Sequence, residues 1–418
     1  MDADVAVVGA GLAGLRCADR LADAGRTVVL LDREPVVGGR QRTDEVGGFL
    51  LDRGFQVLNP AYPAVRRWVD LDDLALRPFG AGLLVRRERG LVRLHHPLRE
   101  PRGLAATLRS GLLTPAQAAA VVRWVAPAVL APRRVVTGPD RPLREGLDDA
   151  GIHGPLREEV IEPFLAGVVA EDRGDTSEAF VRLLVRMFAL GVPGLPARGI
   201  GALPLWLADR MQRRPGAPTV RLCTPVVGID TRAVDPAVIC ADGSQVVARA
   251  VVVAVGPEAV GGLVDVPRPP THGLRTWWFA ATEAPTTSDL VTVDGRRRGP
   301  MVNAAVVSNA VPSYAPPGSH LVQVTTLLGP DTRPSEDEVR RQAEEVYGVP
   351  TTGWETVRRD DVWDALPAQP APLRVTSPAR LGDGVYVAGD HRDTASIQGA
   401  LVSGHRVAGV VLDDLAGS

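Results

Sequence analysis

An α/β fold is predicted for this 418-residue chain, with a discontinuous parallel-sheet domain and a second, α+β domain inserted into it. Three observations predict it. The opening residues DVAVVGAGLAGL read as an apolar strand, a glycine turn and a small-residue helix. The segment VYVAGDHRDTASIQGALVSG (385–404) repeats that grammar near the other end. Between them, short β-branched runs alternate with long stretches of Leu, Ala and Arg at helical spacing.

Taken in order, residues 4–8 form the first apolar strand, and Gly9, Gly11 and Gly14 follow as G-x-G-x-x-G. Leu12, Leu15, Ala18 and Leu21 then recur at helical spacing until Gly25 stops the helix. A second apolar run, TVVLLD (27–32), ends at Asp32 and completes a β-α-β unit. Residues 79–96 alternate apolar and charged around Glu88-Arg89-Gly90, the pattern of a hairpin, and 101–190 is helical text. TVRLCTPVVGID and ARAVVVAVGPEAV are short strands ending in turns, while RTWWFAATEA and HLVQVTTLL are strands of another sheet. SEDEVRRQAEEVYG is a helix opened by a capping box of Ser335 and Glu338. The division that follows places one domain at 1–78, 195–265 and 365–418, and the inserted one at 79–194 and 266–364.

Composition narrows the function. Apolar residues make up 45% and charged ones 23%, and the net charge of −2 lacks the basic field a nucleic-acid binder needs. All 47 basic residues are Arg, so no lysine can serve as a Schiff base or general base. Cys17, Cys223 and Cys240 are odd in number and widely spaced, which argues against a disulfide framework or a zinc site and fits a reducing cytoplasm. Asp2 and Asp4 precede the first apolar run, so no signal peptide is expected. The most lipid-like stretch, AAAVVRWVAPAVLAP, carries Arg123 and Pro127 and falls short of the ~20 apolar residues of a spanning helix. A peripheral membrane contact stays compatible with it, and the oligomeric state is left open.

Each glycine of the first motif has a mechanical reason. Gly9 permits the tight turn, Gly11 lets backbone approach a pyrophosphate, and Gly14 lets helix and strand pack closely. A pyrophosphate then sits on the helix N-terminus, where N–H groups and the dipole favour negative charge. Asp32 ends the second strand at the distance of a ribose-binding acid, and its charge disfavours a 2′-phosphate. The unit is therefore Rossmann-like.

The run VVLLDREPVVGGRQRT resembles the flavoprotein superfamily of monoamine oxidases, phytoene desaturases and protoporphyrinogen oxidases. The resemblance implies non-covalent FAD, held at the first turn by Gly9, Gly11, Leu12, Ala13 and Gly14, and at the ribose end by Asp32 and Arg33. It further implies that Gly38, Gly39 and Arg40 lie along the diphosphate, where Arg40 can offer a charge-assisted fork. FLLDRGFQVL (49–58) is similar to the strand passing near the flavin ring, which points to Gly54, Phe55 and Gln56, and PVVGID points to Val226 at the adenine. The tail resembles the closing FAD motif: Gly389 and Asp390 are expected at the ribityl or pyrophosphate region, and the helix starting near Ile397 and Gln398 at the pyrimidine. LPARGIGALP is similar to a Pro-x-Gly-Gly-Met-x-x-Leu loop, from which Arg198 and Ile200 depart, so no ligand role is assigned to it.

Other departures set the chemistry. The lysine typical of the amine-oxidase branch is absent, and Ser396 stands where one of its substrate-flanking rings is expected. WDALPAQPAPL (363–373) holds no Cys for a covalent flavin. The expectation is an FAD-dependent oxidoreductase taking a hydride from a C–C or C–N bond of a hydrophobic small molecule bound in the inserted domain. The alternatives are an amine oxidase with a remodelled site and a non-catalytic flavin-binding scaffold. No catalytic residue is assigned: His391 stays open between acid–base and surface roles. His95 and His96 are adjacent on a strand and face opposite sides, so no metal site is expected. Glu171, Asp172 and Asp175 read as a solvated acidic loop, and Trp277, Trp278 and Phe279 as core.

Overall fold

Val5, Ala6 and Val7 of the strand Ala3–Val8 are wholly buried, because parallel partners flank the strand on both edges and separate apolar cores cover its two faces. The protein, a computed structural model, is described over residues 1–97 and 99–417. Across the first sheet the parallel strands run Val385–Val387, Gln245–Val253, Ala3–Val8, Val28–Leu31 and Thr219–Arg221. Such strands, covered on both faces, need continuous apolar runs, and that is what VVAVV-like text supplies here. An antiparallel arm, Val226–Asp230 and Ala237–Cys240, extends the sheet from the start of Gln245–Val253.

The two ends of the chain meet on this sheet. The first helix, Leu12–Asp23, lies against the C-terminal helix, Ile397–Gly417. Their axes approach so closely that a Cβ on Gly404 would stand 2.1 Å from the Ala13 carbonyl oxygen. Arg20 donates to the His405 carbonyl, and Arg16 Nη2 lies 3.1 Å from His405 Nδ1.

A second, seven-stranded sheet follows the order Glu355–Pro367, Thr271–Ala281, His320–Leu328, Met301–Val306, Thr292–Asp294, Gly82–Arg87 and Gly90–His95. Side-chain alternation on Thr271–Ala281 sends Trp277 and Phe279 to one face, where they pack with Val339, Ala343 and Val346 of the helix Glu336–Tyr347. Trp278 goes to the other face and joins the core shared with the first sheet. All three rings are wholly buried, as core residues should be. The helix Glu336–Tyr347 has both hydrogen bonds of its Ser335–Glu338 capping box. Helices between Leu104 and Leu190 cover the remaining flank, with a π-helical turn at Arg157–Ile161 leading into Glu162–Val169.

Candidate cofactor and substrate site

One cavity of about 810 Å³ runs between the two sheets. Its walls at one end are Gly9, Gly11, Leu12 and Ala13 from the first turn, Asp32 and Arg33 from the second strand, and Gly38, Gly39 and Arg40 from the loop beyond. Val226, Gly54, Phe55, Gln56, Gly389, Asp390 and Ile397 also line it. Gly14 and Gln398 do not. Gly14 instead sits where a Cβ would be 1.8 Å from the Gly9 carbonyl oxygen, so it sets helix–strand spacing. Gln398 turns its side chain outward, its Oε1 accepting from the Ala64 N–H at 2.8 Å.

The donor set fits a dinucleotide. The first helix begins at Leu12, so its first-turn N–H groups have no intrahelical carbonyl and face the cavity end where Gly11 carries no Cβ. Asp32 accepts from Ala10 N at 2.5 Å and Glu34 N at 2.8 Å, which fixes its carboxylate beside the turn. Gly38 has φ +127° and bonds Ala10 O through its N–H at 2.9 Å, while a Cβ on it would lie 2.4 Å from Gln41 O. Only glycine fits that crossing.

Arg40 joins the two ends. Its Nη2 meets Asp390 Oδ1 at 2.5 Å and its Nη1 donates to Ala365 O at 3.1 Å. Burial works against the Arg40 cation, but the adjacent Asp390 carboxylate outweighs it and holds the guanidinium above its usual range. At the C-terminal helix, Ser396 Oγ accepts from Gly399 N at 3.0 Å. Ser396 is thus an N-cap on the cavity wall, in place of a substrate-flanking ring.

Beyond this region the cavity changes character. Tyr62, Phe79, Phe164, Leu184, Phe188 and Leu274 line it, with Phe164 and Phe188 edge to face at 5.2 Å. Residues 55–79, 164–193 and 274–303 contribute no charged side chain to the wall; every charged lining residue lies at 32–53, at Glu258 or at Asp390.

Several expectations change. Glu171 is not solvated: it is buried, and it accepts from Asp175 N, Thr176 N and Thr176 Oγ1, holding the loop before the helix Glu178–Leu190. His391 does not line the cavity. Neither ring nitrogen has a hydrogen-bond partner among the described residues. His95 Nδ1 pairs with Glu100 while His96 Nε2 meets Phe188 O, and no metal-binding cluster occurs among the described residues. No residue pattern points to Asp52, whose wholly buried carboxyl accepts from Thr43 Oγ1, Ile200 N and Tyr314 OH. Burial raises it to about 6 against those bonds. Ile200 therefore serves the packing of its loop through Asp52.

His391 carries a pH prediction. Burial, with Arg40 and Arg392 adding and Asp390 opposing, lowers it to about 4. A depressed imidazole contributes stability that is present above the unfolded value near 6.5 and lost as pH falls through 4. His391→Gln is expected to flatten the acid limb of a thermal-melt series by about 2 kcal/mol between those limits. Parallel curves for variant and wild type would refute it.

The family model of flavin-containing amine oxidoreductases matches residues 12–412. The phytoene dehydrogenase of Streptomyces griseus is 56% identical over 54 residues, and the putrescine oxidase of Kocuria rosea 43% identical over 70. Those stretches are 13% and 17% of this chain and only 11% and 15% of the relatives' own lengths. An oxidoreductase of Methanosarcina mazei superposes with a TM-score of 0.75 at 19% identity, covering 96% of this chain and 99% of that one. A match running from the first helix to the last, over a cavity whose turns suit a dinucleotide, means that the chain belongs to the flavin-containing amine oxidoreductases.

Proposed function

We propose that the protein removes a hydride from a C–C or C–N bond of a neutral, hydrophobic small molecule. The observation that carries this reading is the uncharged wall of the cavity's far end. A protonated amine placed there would be an ammonium without a counter-ion, a desolvation cost of several kcal/mol. An apolar substrate instead gains from the same aromatic and aliphatic surface.

FAD, when bound, supplies the hydride acceptor. The chain's residues supply placement. Segments 1–78, 195–265 and 365–418 form the cofactor domain in this reading, and 79–194 with 266–364 the substrate domain. Gly11, Gly38 and Gly39 let backbone approach the diphosphate, Asp32 accepts from a ribose diol, and Arg40 and Asp390 bind the region between nucleotide and ring. The N-terminus of the helix at Ile397, capped by Ser396, turns its positive end toward the same cavity and favours negative charge there. Phe164, Phe188 and Phe79 exclude water from the reacting bond. A reducing, cytoplasmic setting suits three free cysteines, and among the described residues no helix is long and apolar enough to cross a membrane.

Anaerobic titration of the FAD-loaded protein tests the reading. Apolar polyenes are expected to bleach the oxidised-flavin band while putrescine and benzylamine leave it unchanged. Bleaching by the amines alone would favour a remodelled amine oxidase, and bleaching by no compound a flavin-binding scaffold.

A further inference from the structure

A chain of buried polar side chains crosses the second sheet and ends in the apolar part of the cavity. Strand register builds it: Thr276 pairs with Thr325, and Thr325 with Asn303, across three neighbouring strands. Gln323, two residues before Thr325, shares its face. The bonds are Phe55 N to Thr276 Oγ1 at 3.3 Å, Thr276 Oγ1 to Thr325 Oγ1 at 2.9 Å, Thr325 Oγ1 to Gln323 Oε1 at 2.9 Å, and Gln323 Nε2 to Asn303 Oδ1 at 3.1 Å. Thr276, Thr325 and Gln323 are at most 1% exposed and Asn303 is 8% exposed.

The direction of this chain is fixed at the Gln323 oxygen. Gln323 Oε1 can only accept, so Thr325 gives its single hydroxyl proton to it and must accept from Thr276, which in turn accepts from the Phe55 amide. Thr325 then donates to the Gln323 oxygen, and the Gln323 amide nitrogen donates to the Asn303 oxygen. The Asn303 amide is thereby oriented, with Nδ2 as the end of the chain. Among the described residues Nδ2 has no hydrogen-bond partner, and Asn303 lines the cavity. Gly167, another lining residue, leaves room for it: a Cβ there would lie 2.3 Å from Nδ2.

The far part of the cavity holds an oriented amide donor in Asn303 Nδ2, with the Tyr62 hydroxyl on the same lining, and so favours a ligand that carries an oxygen acceptor. Resting on the hydrophobic-substrate reading above, we propose that Asn303 is a specificity-determining residue whose Nδ2–H binds a neutral oxygen acceptor, a carbonyl above all, on an otherwise apolar substrate. Gln323 is its positioning residue. A pure hydrocarbon would leave the donor unpaired, and an ammonium would face it with like polarity.

The probes are β-ionone, the matching alcohol β-ionol and the hydrocarbon lacking the oxygen, each titrated into the FAD-loaded protein and followed by perturbation of the flavin spectrum. The wild type is expected to bind β-ionone about tenfold more tightly than the hydrocarbon. Asn303→Leu is expected to remove that preference for ketone and alcohol alike. Gln323→Glu in its carboxylate form cannot donate to Asn303, so at pH above the titration of that buried carboxyl the amide turns and presents its oxygen: the ketone weakens about tenfold while the alcohol, which can donate, is retained. Flavin content reports folding of both variants. Equal weakening of all three probes, or no ketone preference in the wild type, overturns the proposal while hydrocarbon binding leaves the apolar-cavity reading standing. Absence of any spectral change with all three, at full flavin content, overturns both.

Discussion

Asp390→Ala is expected to lower FAD affinity at least roughly tenfold and to destabilise the protein by about 2 kcal/mol. Asp390 is almost wholly buried, with its carboxylate on the Arg40 guanidinium, whose own side chain is 32% exposed. Removing the carboxylate leaves a largely desolvated cation whose one remaining hydrogen-bond partner among the described residues is the Ala365 carbonyl, with the Glu258 and Asp364 charges acting only at longer range. A fully buried pair broken this way costs ~3–5 kcal/mol, and the partial exposure of Arg40 reduces it. The flavin loss has a separate origin, since Arg40 and Asp390 both line the cavity and each orients the other. Asp390→Asn keeps an acceptor without the charge and should fall between. The flavin-to-protein ratio after gel filtration and the melting temperature measure the two effects. An Ala variant with full flavin and an unchanged melt would mean that the chain ends do not grip the cofactor together.

The readability of this site in the sequence follows from the range of the forces involved. Gly9, Gly11, Gly38 and Gly39 announce themselves because their constraint is local: a turn, a crossing or a close approach admits no side chain. The hairpin around Glu88-Arg89-Gly90 and the Ser335 cap are legible for the same reason. Strand neighbours are not local. Val385–Val387 reads as a strand, yet nothing in its residues says that it pairs with Val251–Val253 instead of the first strand. Glu171 shows the same limit: an acidic residue between Ala170 and Asp172 reads as solvated, and only the inward turn of the loop gives it three donors.

The polar chain ending at Asn303 was hidden more deeply. Thr276, Gln323 and Thr325 sit in strands whose alternation looks ordinary, and their meaning arises only when register brings them side by side. Gln398 marks the reverse case. The helix begins where its sequence indicates, but the second residue of the helix faces Ala64, so its side chain leaves the cavity while Ile397 stays on it.

Gly11→Ala and Gly14→Ala are expected to separate ligand binding from folding within one motif. Gly11 has φ −74°, and no atom lies within 4 Å of the Cβ it would gain, so the apo protein should melt within about 0.5 kcal/mol of wild type. That Cβ nevertheless projects where the diphosphate must approach the helix start, and FAD affinity is expected to fall by about tenfold or more. Gly14→Ala behaves otherwise, because its Cβ would stand 1.8 Å from the Gly9 carbonyl and the helix must leave the strand, at a cost of about 3 kcal/mol. Gly404→Ala presses on the same helix from the other side, 2.1 Å from Ala13 O. Since both overpacked variants displace one helix, a shift made for the first relieves or worsens the second, and the double variant should be non-additive by about 0.5 kcal/mol or more. Apo-protein melts and FAD titrations on the wild type and the four variants decide it: equal apo destabilisation by Gly11→Ala and Gly14→Ala would show that the first turn is shaped by packing alone and is not held open for a ligand.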